Sequence, residues 1–355
     1  MLAEPPRAPA CPPPDSRYDD SMIQTFRAHD AVELAVLERS GFVESRHVGA
    51  AVVVAGDGSV VTSLGAIDSP VFPRSSVKPF QALAAMQAGV PLRGAQVAIA
   101  AGSHTGSLDH MDVVSGMLKA AGVTEDQLGC PHAWPADPPA RAWLVRSERG
   151  KSRLAMNCSG KHAAFLWACT ENGWDTAGYL EPNHPMQRAV RTVIEEYTGQ
   201  PVQHTGVDGC GAPVMAVTLT GLARAFTTLA KAPSDKNANA RAATIATSML
   251  DYPWAVEGHG RPNTVVMEEL GVLAKLGAEG VIAMATPAGA SVAVKMLDGN
   301  GRAATLVGLT LLAAAGALDV PEVAGVLAKV VPPVMGGGRP AGSLRLGSAV
   351  SALLD

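Results

Sequence analysis

One serine and one lysine lie at a spacing that could support nucleophilic catalysis. They are Ser75 and Lys78, three positions apart in the string RSSVKP, whose proline is typical of the first turn of a helix. At a helix start the two side chains share one face, with about 5–6 Å between their β-carbons. A lysine accepts a proton from serine only when burial or another cation lowers its pKa. The spacing fits a nucleophile with its base, and it equally fits a helix cap beside a solvated lysine.

Two cysteines stand at glycine-rich turns that come just before predicted helices. Cys158 lies in NCSGKH and Cys210 in VDGCGAP. Backbone N–H groups and the helix dipole favour a thiolate at such a turn, and two thiolates could converge on a soft or borderline metal. Zinc takes three or four ligands, and His162 and Asp208 are close to the cysteines in sequence. The pattern is also compatible with two buried cysteines that serve as small apolar residues.

Two further polar residues stand at the ends of predicted strands. Ser103 follows an apolar run at 96–100, and Lys295 is near the end of an apolar run at 291–296. Polar groups at strand ends are where active sites gather in α/β proteins, although a serine there also caps helices. A lysine in an apolar strand is either a guard against edge pairing or a functional cation. The residue types alone leave these alternatives open.

Hydrophobic patterning predicts the elements that would position these groups. Strands are predicted at 32–36, 49–55, 60–61, 96–100, 280–285 and 291–296, with an Asp-Gly turn at 57–58. Helices are predicted at 79–89, 110–121, 161–172, 184–197 and 213–230, and an exposed loop at 232–240. This succession predicts a fold of the α/β or α+β class.

Composition restricts the class of partner. The 355 residues are 47% apolar and 17% charged, which is typical of a folded globular protein. With 28 basic and 32 acidic residues the formal charge is −4, so no cationic field favours nucleic acid or an anionic membrane surface. The most apolar stretch, 303–320, contains Thr310 and Gly316, and we interpret it as a buried helix. We therefore expect no nucleic-acid partner and no membrane association.

The start of the chain differs from the rest. Residues 1–29 are rich in proline and have no apolar period, so we expect a disordered tail, followed by a single domain over 30–355. The tail lacks the charged start and apolar run of a secretory signal. Five cysteines are an odd and sparse set, which favours free thiols or metal ligands over a disulfide framework. We expect a cytoplasmic protein.

Six strings of the sequence occur together in one known family. They are VESRH (43–47), VFPRSSVKPFQ (71–81), AGSH (101–104), NCSGKH (157–162), EPNHPMQ (181–187) and VDGCGAP (207–213). In this order they resemble the rhizobial-type (class 3) L-asparaginases of the asparaginase II family, and the resemblance extends from about residue 32 to the C-terminus. Each string alone is a weak signal, whereas six in order are specific.

The resemblance implies an amidohydrolase that converts L-asparagine to L-aspartate and ammonia. The implied fold is similar to that of serine β-lactamases and penicillin-binding proteins, with a central sheet flanked by helices, and the implied assembly is a homodimer. Carried over by position, Ser75 would be the nucleophile and Lys78 its base, while Ser103 and Lys295 would form a second Ser/Lys pair that moves protons. Two lysines facing one serine would keep one of them neutral.

The resemblance also implies a metal site and a substrate pocket. The implied zinc ligands, for one zinc per subunit, are Cys158, Lys161 and Cys210. The implied substrate-binding residues are Arg74, His162 and Asp208, of which Asp208 would meet the α-amino group. One departure is Asn263, which stands where the family more often has aspartate.

Two other functions fit part of this pattern. A β-lactamase or penicillin-binding-like acyl-serine hydrolase would share Ser75 and Lys78, but the chain has no S-D-N and no K-T-G string. A non-catalytic zinc or amino-acid binding protein would bind its ligand without releasing ammonia. The two Ser/Lys arrangements argue against that function, because binding alone needs no nucleophile.

Overall fold

The computed structural model describes residues 23–354, which form one large antiparallel sheet with helices packed around it. Its strands are β1 (Val32–Arg39), β2 (Phe42–Val54), β3 (Val60–Leu64), β4 (Thr205–Val207), β5 (Pro213–Met215), β6 (Leu273–Gly277), β7 (Val281–Ala285), β8 (Ser291–Met296), β9 (Val334–Gly336) and β10 (Arg339–Leu346). The sheet has eight strands in the order β6-β7-β8-β2-β1-β10-β9, with β3 paired to β2, and β4 and β5 form a separate pair.

Three of the site residues singled out above, Lys78, Lys161 and His162, lie in helices. The helices are α1 (Lys78–Gln87), α2 (Ala95–Ala100), α3 (Leu108–Ala121), α4 (Pro138–Arg146), α5 (Ser159–Asn172), α6 (Pro185–Thr198), α7 (Leu219–Lys231), α8 (Ala240–Asp251), α9 (Pro253–Val256), α10 (Pro262–Leu270), α11 (Ala304–Ala314), α12 (Val320–Val330) and α13 (Ser348–Ser351). A short 3₁₀ turn, Arg74–Val77, leads directly into α1.

Strand β8 lies at the centre of the core. It pairs with β2 on one side and β7 on the other, and all six of its residues are buried. Complete burial means that both faces of this strand are covered, which explains why it reads as an apolar run without alternation. Helices α7 and α11 pack against it. The mixed α/β prediction is confirmed, while the likeness to β-lactamases stays a prediction.

Two predicted elements are wrong. The apolar run at 96–100 is not a strand but helix α2, whose last four residues are buried. A short buried run has no solvent face to show its period, so strand and helix look alike in sequence. The helix predicted at 213–230 is divided into β5 and α7, because Thr218 between them caps the Gly221 N–H. The remaining helix predictions, at 79–89, 110–121, 161–172 and 184–197, correspond to α1, α3, α5 and α6.

The ends of the domain and its most apolar stretch can also be placed. Most of the predicted tail, residues 1–22, lies outside the described residues, but Phe26 is buried in the core and Ala28–Asp30 form a 3₁₀ turn. Helix α11 forms the first part of the apolar stretch and ends at Ala314. Within residues 23–354, no helix is both long enough and apolar enough to span a membrane.

Candidate functional site

The turn that carries Ser75 is held in an unusual backbone conformation. Arg74 has φ +52°, in the left-handed region that non-glycine residues seldom adopt. Strand β6 approaches this turn so closely that a Cβ on Gly277 would collide with the Pro73 carbonyl oxygen. Strained residues of this kind persist where the surrounding structure holds them, and they gather at functional sites. The half-buried Ser75 side chain stands immediately after this residue.

The Ser103 hydroxyl is within hydrogen-bond distance of two lysine side chains. Lys78 Nζ lies 2.9 Å and Lys275 Nζ 3.0 Å from Ser103 Oγ. Both lysines are completely buried, at 1% and 0% exposure. A single hydroxyl between two buried amines can accept a hydrogen bond from one and donate one to the other. The hydrogen bonds of Lys78 Nζ among the described residues do not include one to the Ser75 hydroxyl, so the assignment of Ser75 as nucleophile and Lys78 as its base stays a prediction.

The hydrogen-bond partners of Lys78 Nζ and Lys275 Nζ differ, and this difference indicates which of the two amines is charged. Lys78 Nζ also donates to the carbonyls of Gly102 at 2.6 Å and Asn157 at 3.2 Å, so three acceptors surround an ammonium with three protons. Lys275 Nζ has one carbonyl, that of Leu276 at 2.8 Å, besides Ser103. Burial, and then the charge of Lys78, lowers the pKa of Lys275 to about 7. Lys275 is therefore the amine that Ser103 can donate to.

The expected partner of Ser103, Lys295, lies elsewhere. Its Nζ donates to the carbonyls of Glu279 and Met296, both at 2.6 Å, in the turn after β6 and at the end of β8. The Ser/Lys pair predicted for Lys295 is formed by Lys275 of β6 instead, because β6 and not β8 runs beside the Arg74–Val77 turn. Lys275 stands in the run LAKLG, which is as apolar as the run around Lys295. A lysine in an apolar run is the signal by which Lys275 could also have been proposed from the sequence.

The predicted metal ligands do meet in space. Cys158, Lys161 and Cys210 are all buried, and Lys161 Nζ lies 3.2 Å from Cys210 Sγ. A hydrogen bond from Cys210, together with the charges of Lys78 and Lys161, outweighs burial and holds the pKa of Cys158 well below its ordinary value. Burial disfavours the charged form of Lys161, but the cysteine charges outweigh it and raise its pKa. The cluster is thus an ammonium that donates to Cys210 and is stabilised by the charge of Cys158.

His162 contributes a buried hydrogen-bond donor beside this cluster. Tyr179 Oη accepts the Gly129 N–H at 2.7 Å and lies 2.6 Å from His162 Nδ1. Because burial raises the pKa of Tyr179, its hydroxyl keeps its proton and donates it to Nδ1, which leaves the imidazole proton on Nε2. Within the described residues His162 Nε2 makes no hydrogen bond of normal geometry, although Cys210 lies near enough to the ring to influence its pKa. Burial also lowers the pKa of His162 to about 4, so the ring is neutral.

Arg74 and Asp208 form an ion pair at the mouth of the site. Arg74 Nε lies 2.8 Å and Nη2 2.7 Å from Asp208 Oδ1. Burial opposes the charge of Asp208, but Lys161 and then Arg74 outweigh it and lower its pKa. Asp208 therefore links the Arg74 turn to the cysteine cluster. A pair of opposite charges at this place is complementary to a zwitterion such as an amino acid.

The comparisons with known proteins point in the same direction. The chain matches the family model described as L-asparaginase II over residues 35–346. It belongs to the asparaginase II family. The membership predicted from the six strings is thereby confirmed, and it supports L-asparaginase activity in general. None of the curated proteins matches the chain.

The cysteine cluster has a donor set that fits zinc in its chemistry. Two buried thiol groups, one of them with a lowered pKa, and one amine stand together, and thiolates are preferred ligands of zinc. Lys161 would have to lose its proton to join them. In the part of the chain that the structure describes, no three or more His, Cys, Asp and Glu side chains are arranged to hold a metal ion, so lysine is needed to complete the set.

Proposed function

We propose that the protein is an L-asparaginase that hydrolyses the side-chain amide of L-asparagine through an acylated serine, with lysines as its proton carriers. The observation that carries this proposal is the pair of buried amines of Lys78 and Lys275 on the Ser103 hydroxyl. Burying two lysines side by side destabilises a fold, and it supplies a neutral amine near neutral pH. A binding protein has no use for such a base.

Substrate recognition follows from the charges at the mouth of the site. Arg74 would take the α-carboxylate and Asp208 the α-ammonium of asparagine. The Nε2–H of His162 would donate to an oxygen of the bound amino acid. In this pose the side-chain amide would lie toward Ser75, which directly follows Arg74 in the chain.

The reaction then proceeds by acyl transfer. As Ser75 Oγ attacks the amide carbon, Lys78 gives one ammonium proton to Ser103 and Ser103 gives its own proton to neutral Lys275. Lys78 then takes the proton of Ser75, which has to come within hydrogen-bond distance of it when substrate binds, and a tetrahedral oxyanion forms. The C–N bond breaks as the lysines return a proton to nitrogen, ammonia leaves, and an aspartyl ester of Ser75 remains. Water attacks the ester by the same relay, which releases L-aspartate and restores the serine hydroxyl.

We also propose one zinc per subunit, held by Cys158, Lys161 and Cys210. When bound, zinc acts as a Lewis acid and as a fixed positive charge. Asp208 is paired with Arg74 and feels the charge of Lys161, so the charge state of the cluster influences the pair that would bind substrate. A homodimer, which the family resemblance implies, and a cytoplasmic location, which the sparse cysteines favour, complete the proposal.

The experiment is ammonia release from L-asparagine and L-glutamine by the wild type, Ser75→Ala and Ser103→Ala, with zinc content recorded for each. Ser115→Ala, an exposed serine of α3, is the matched control. We expect both site variants to lose at least about a hundredfold in kcat with zinc retained. An acid-quenched reaction should carry the aspartyl adduct on the peptide that contains Ser75 and should lack it in Ser75→Ala.

The outcomes separate the alternatives. An adduct on Ser103 would move the nucleophile to that residue and contradict the assignment of Ser75. If the protein binds asparagine but releases ammonia from neither amide, it is a binding protein and not an asparaginase. Turnover of a β-lactam with no turnover of asparagine would favour the acyl-serine hydrolase.

A further inference from the structure

The segment that carries Ser103 is tied through its backbone to the residues that follow α9. Ser103 N donates to the Val256 carbonyl and Thr105 N to the Glu257 carbonyl, both at 2.7 Å. The contact is close, because a Cβ on Gly102 would come within 2.8 Å of the Val256 oxygen. Any shift of the 256–257 segment therefore moves Ser103.

The side chains continue the connection to Lys275. Glu257 Oε2 accepts the N–H of Asn263 at 2.9 Å, in the first turn of α10. Asn263 Oδ1 accepts the N–H of Leu276 at 3.1 Å, next to Lys275 in β6. Lys275 Nζ donates to the carbonyl of that same Leu276 and contacts the Ser103 hydroxyl. The hydrogen bonds form a closed ring from Ser103 through Glu257 and Asn263 to Lys275 and back.

The ring is buried and contains one acidic side chain. Asn263 is 1% and Glu257 9% exposed, so both are shielded from solvent. The charged or titratable groups that act on Lys275 are Lys78 and Cys158 besides Glu257. Glu257 therefore supplies a carboxylate that favours the ammonium form of Lys275, against burial and against Lys78. The exposed Arg261 lies 3.7 Å from its other oxygen and offsets part of that charge.

We propose that Glu257 and Asn263 are positioning residues of the reaction: together they hold the Lys275 amine against the Ser103 hydroxyl and set the pH at which that amine becomes able to accept a proton. This inference rests on the proposed function, since it assigns Lys275 a proton-accepting part. Neither side chain touches Ser103 or Lys275 directly, and both act through the backbone of Leu276 and of the 256–257 segment. Glutamine has nearly the same shape as glutamate, and aspartate nearly the same shape as asparagine. Glu257→Gln and Asn263→Asp therefore change the charge while the hydrogen-bonded ring is largely kept.

The test is the pH dependence of kcat/KM for L-asparagine in the wild type, Glu257→Gln and Asn263→Asp. Below the pKa of Lys275 its amine is charged and cannot accept a proton, so kcat/KM falls on the acidic side with a midpoint near about 7. Removing the Glu257 charge moves that midpoint to lower pH by roughly half a unit or more. Adding a charge at Asn263 moves it to higher pH by a similar amount. Glu268→Gln, an exposed carboxylate of the same helix, is the matched control.

A second measurement keeps the two proposals apart. The ¹³C chemical shift of the Lys275 ε-methylene, followed by NMR between pH 5.5 and 9 and assigned by comparison with Lys275→Arg, gives the titration midpoint of the buried amine without any turnover. Opposite shifts in the two variants support the inference even if asparagine is not the substrate. Equal shifts in both, or no shift together with a lower melting temperature, overturn it and leave the ring a purely structural feature.

Discussion

Replacing Lys275 by methionine should make the protein more stable and nearly inactive at the same time. Lys275 is completely buried, and its pKa is about 7 in the folded chain against 10.5 for an ordinary lysine. Each pH unit of such a shift is worth about 1.4 kcal/mol, so near pH 7 the buried ammonium destabilises the fold by on the order of 4 kcal/mol. Methionine has a similar length and no charge. It loses the hydrogen bonds to Ser103 and Leu276, about 1 kcal/mol each.

The net gain is about 2 kcal/mol at neutral pH, and it should depend on pH in a defined direction. Between pH 7 and 10.5 the unfolded chain binds the lysine proton and the folded chain does not, so wild-type stability rises with pH over this window. The methionine variant lacks that rise. Its advantage should be largest below about pH 7, should shrink as the pH increases, and should vanish near about pH 9.

Urea unfolding of both proteins between pH 6 and 9 measures the free-energy difference, and ammonia release measures activity. We expect a loss of about 10²–10⁴ in kcat for Lys275→Met. Lys119→Met, at an exposed position of α3, is the control for the substitution itself. A variant that is destabilised by a similar amount at every pH would refute the reasoning, because it would mean that Lys275 carries no burial penalty in the folded state.

Three further predictions concern the other charged groups of the site. Lys295→Met should keep kcat within about threefold of wild type, because among residues 23–354 its Nζ donates only to backbone carbonyls. A loss as large as that of Lys275→Met would contradict the geometry. Asp208→Asn should raise KM for L-asparagine about 10- to 100-fold in initial-rate assays, since it removes a charge-assisted partner of both Arg74 and the substrate, and an unchanged KM would exclude Asp208 from binding. Zinc per subunit, measured after dialysis, should be lower in Cys210→Ser than in the wild type. In the wild type it should also fall between pH 7.5 and 5.5, because Lys161 must lose its proton to bind zinc. Zinc retained in both cases would rule out this ligand set.

Groups that are close in sequence could be found without the structure. Arg74 and Ser75 share one turn, and Cys158, Lys161 and His162 share the start of α5, so a helix start alone brings each set together. The helices themselves were predictable where they have a solvent-facing side, as in α6 at Pro185–Thr198. That these two sets belong to one site was suggested only by the six family strings, because helix geometry says nothing about residues distant in sequence.

Groups that meet through the sheet could not be found. Lys275 and Lys295 both stand in apolar runs and both become buried in strands, so composition cannot distinguish them. The difference is topological: β6 is the edge strand beside the Ser75 turn, and β8 is separated from it by β7. Asn263 stands out in the sequence only as a departure from the family pattern, and Glu257 does not stand out at all, because the role of both depends on where the backbone of Leu276 passes.

The three buried lysines of the site show how environment assigns different roles to one residue type. Lys78, Lys161 and Lys275 are among the largest completely buried side chains of the described residues. Lys161 lies between two cysteines, whose charges outweigh burial, so it stays an ammonium until something displaces its proton. Lys78 and Lys275 share a neutral hydroxyl, so burial lowers both of their pKa values. Of these two, only Lys275 lacks a third acceptor, and this makes it the base. The burial that weakens the fold at this point is thus the same physical effect that provides a proton acceptor near neutral pH.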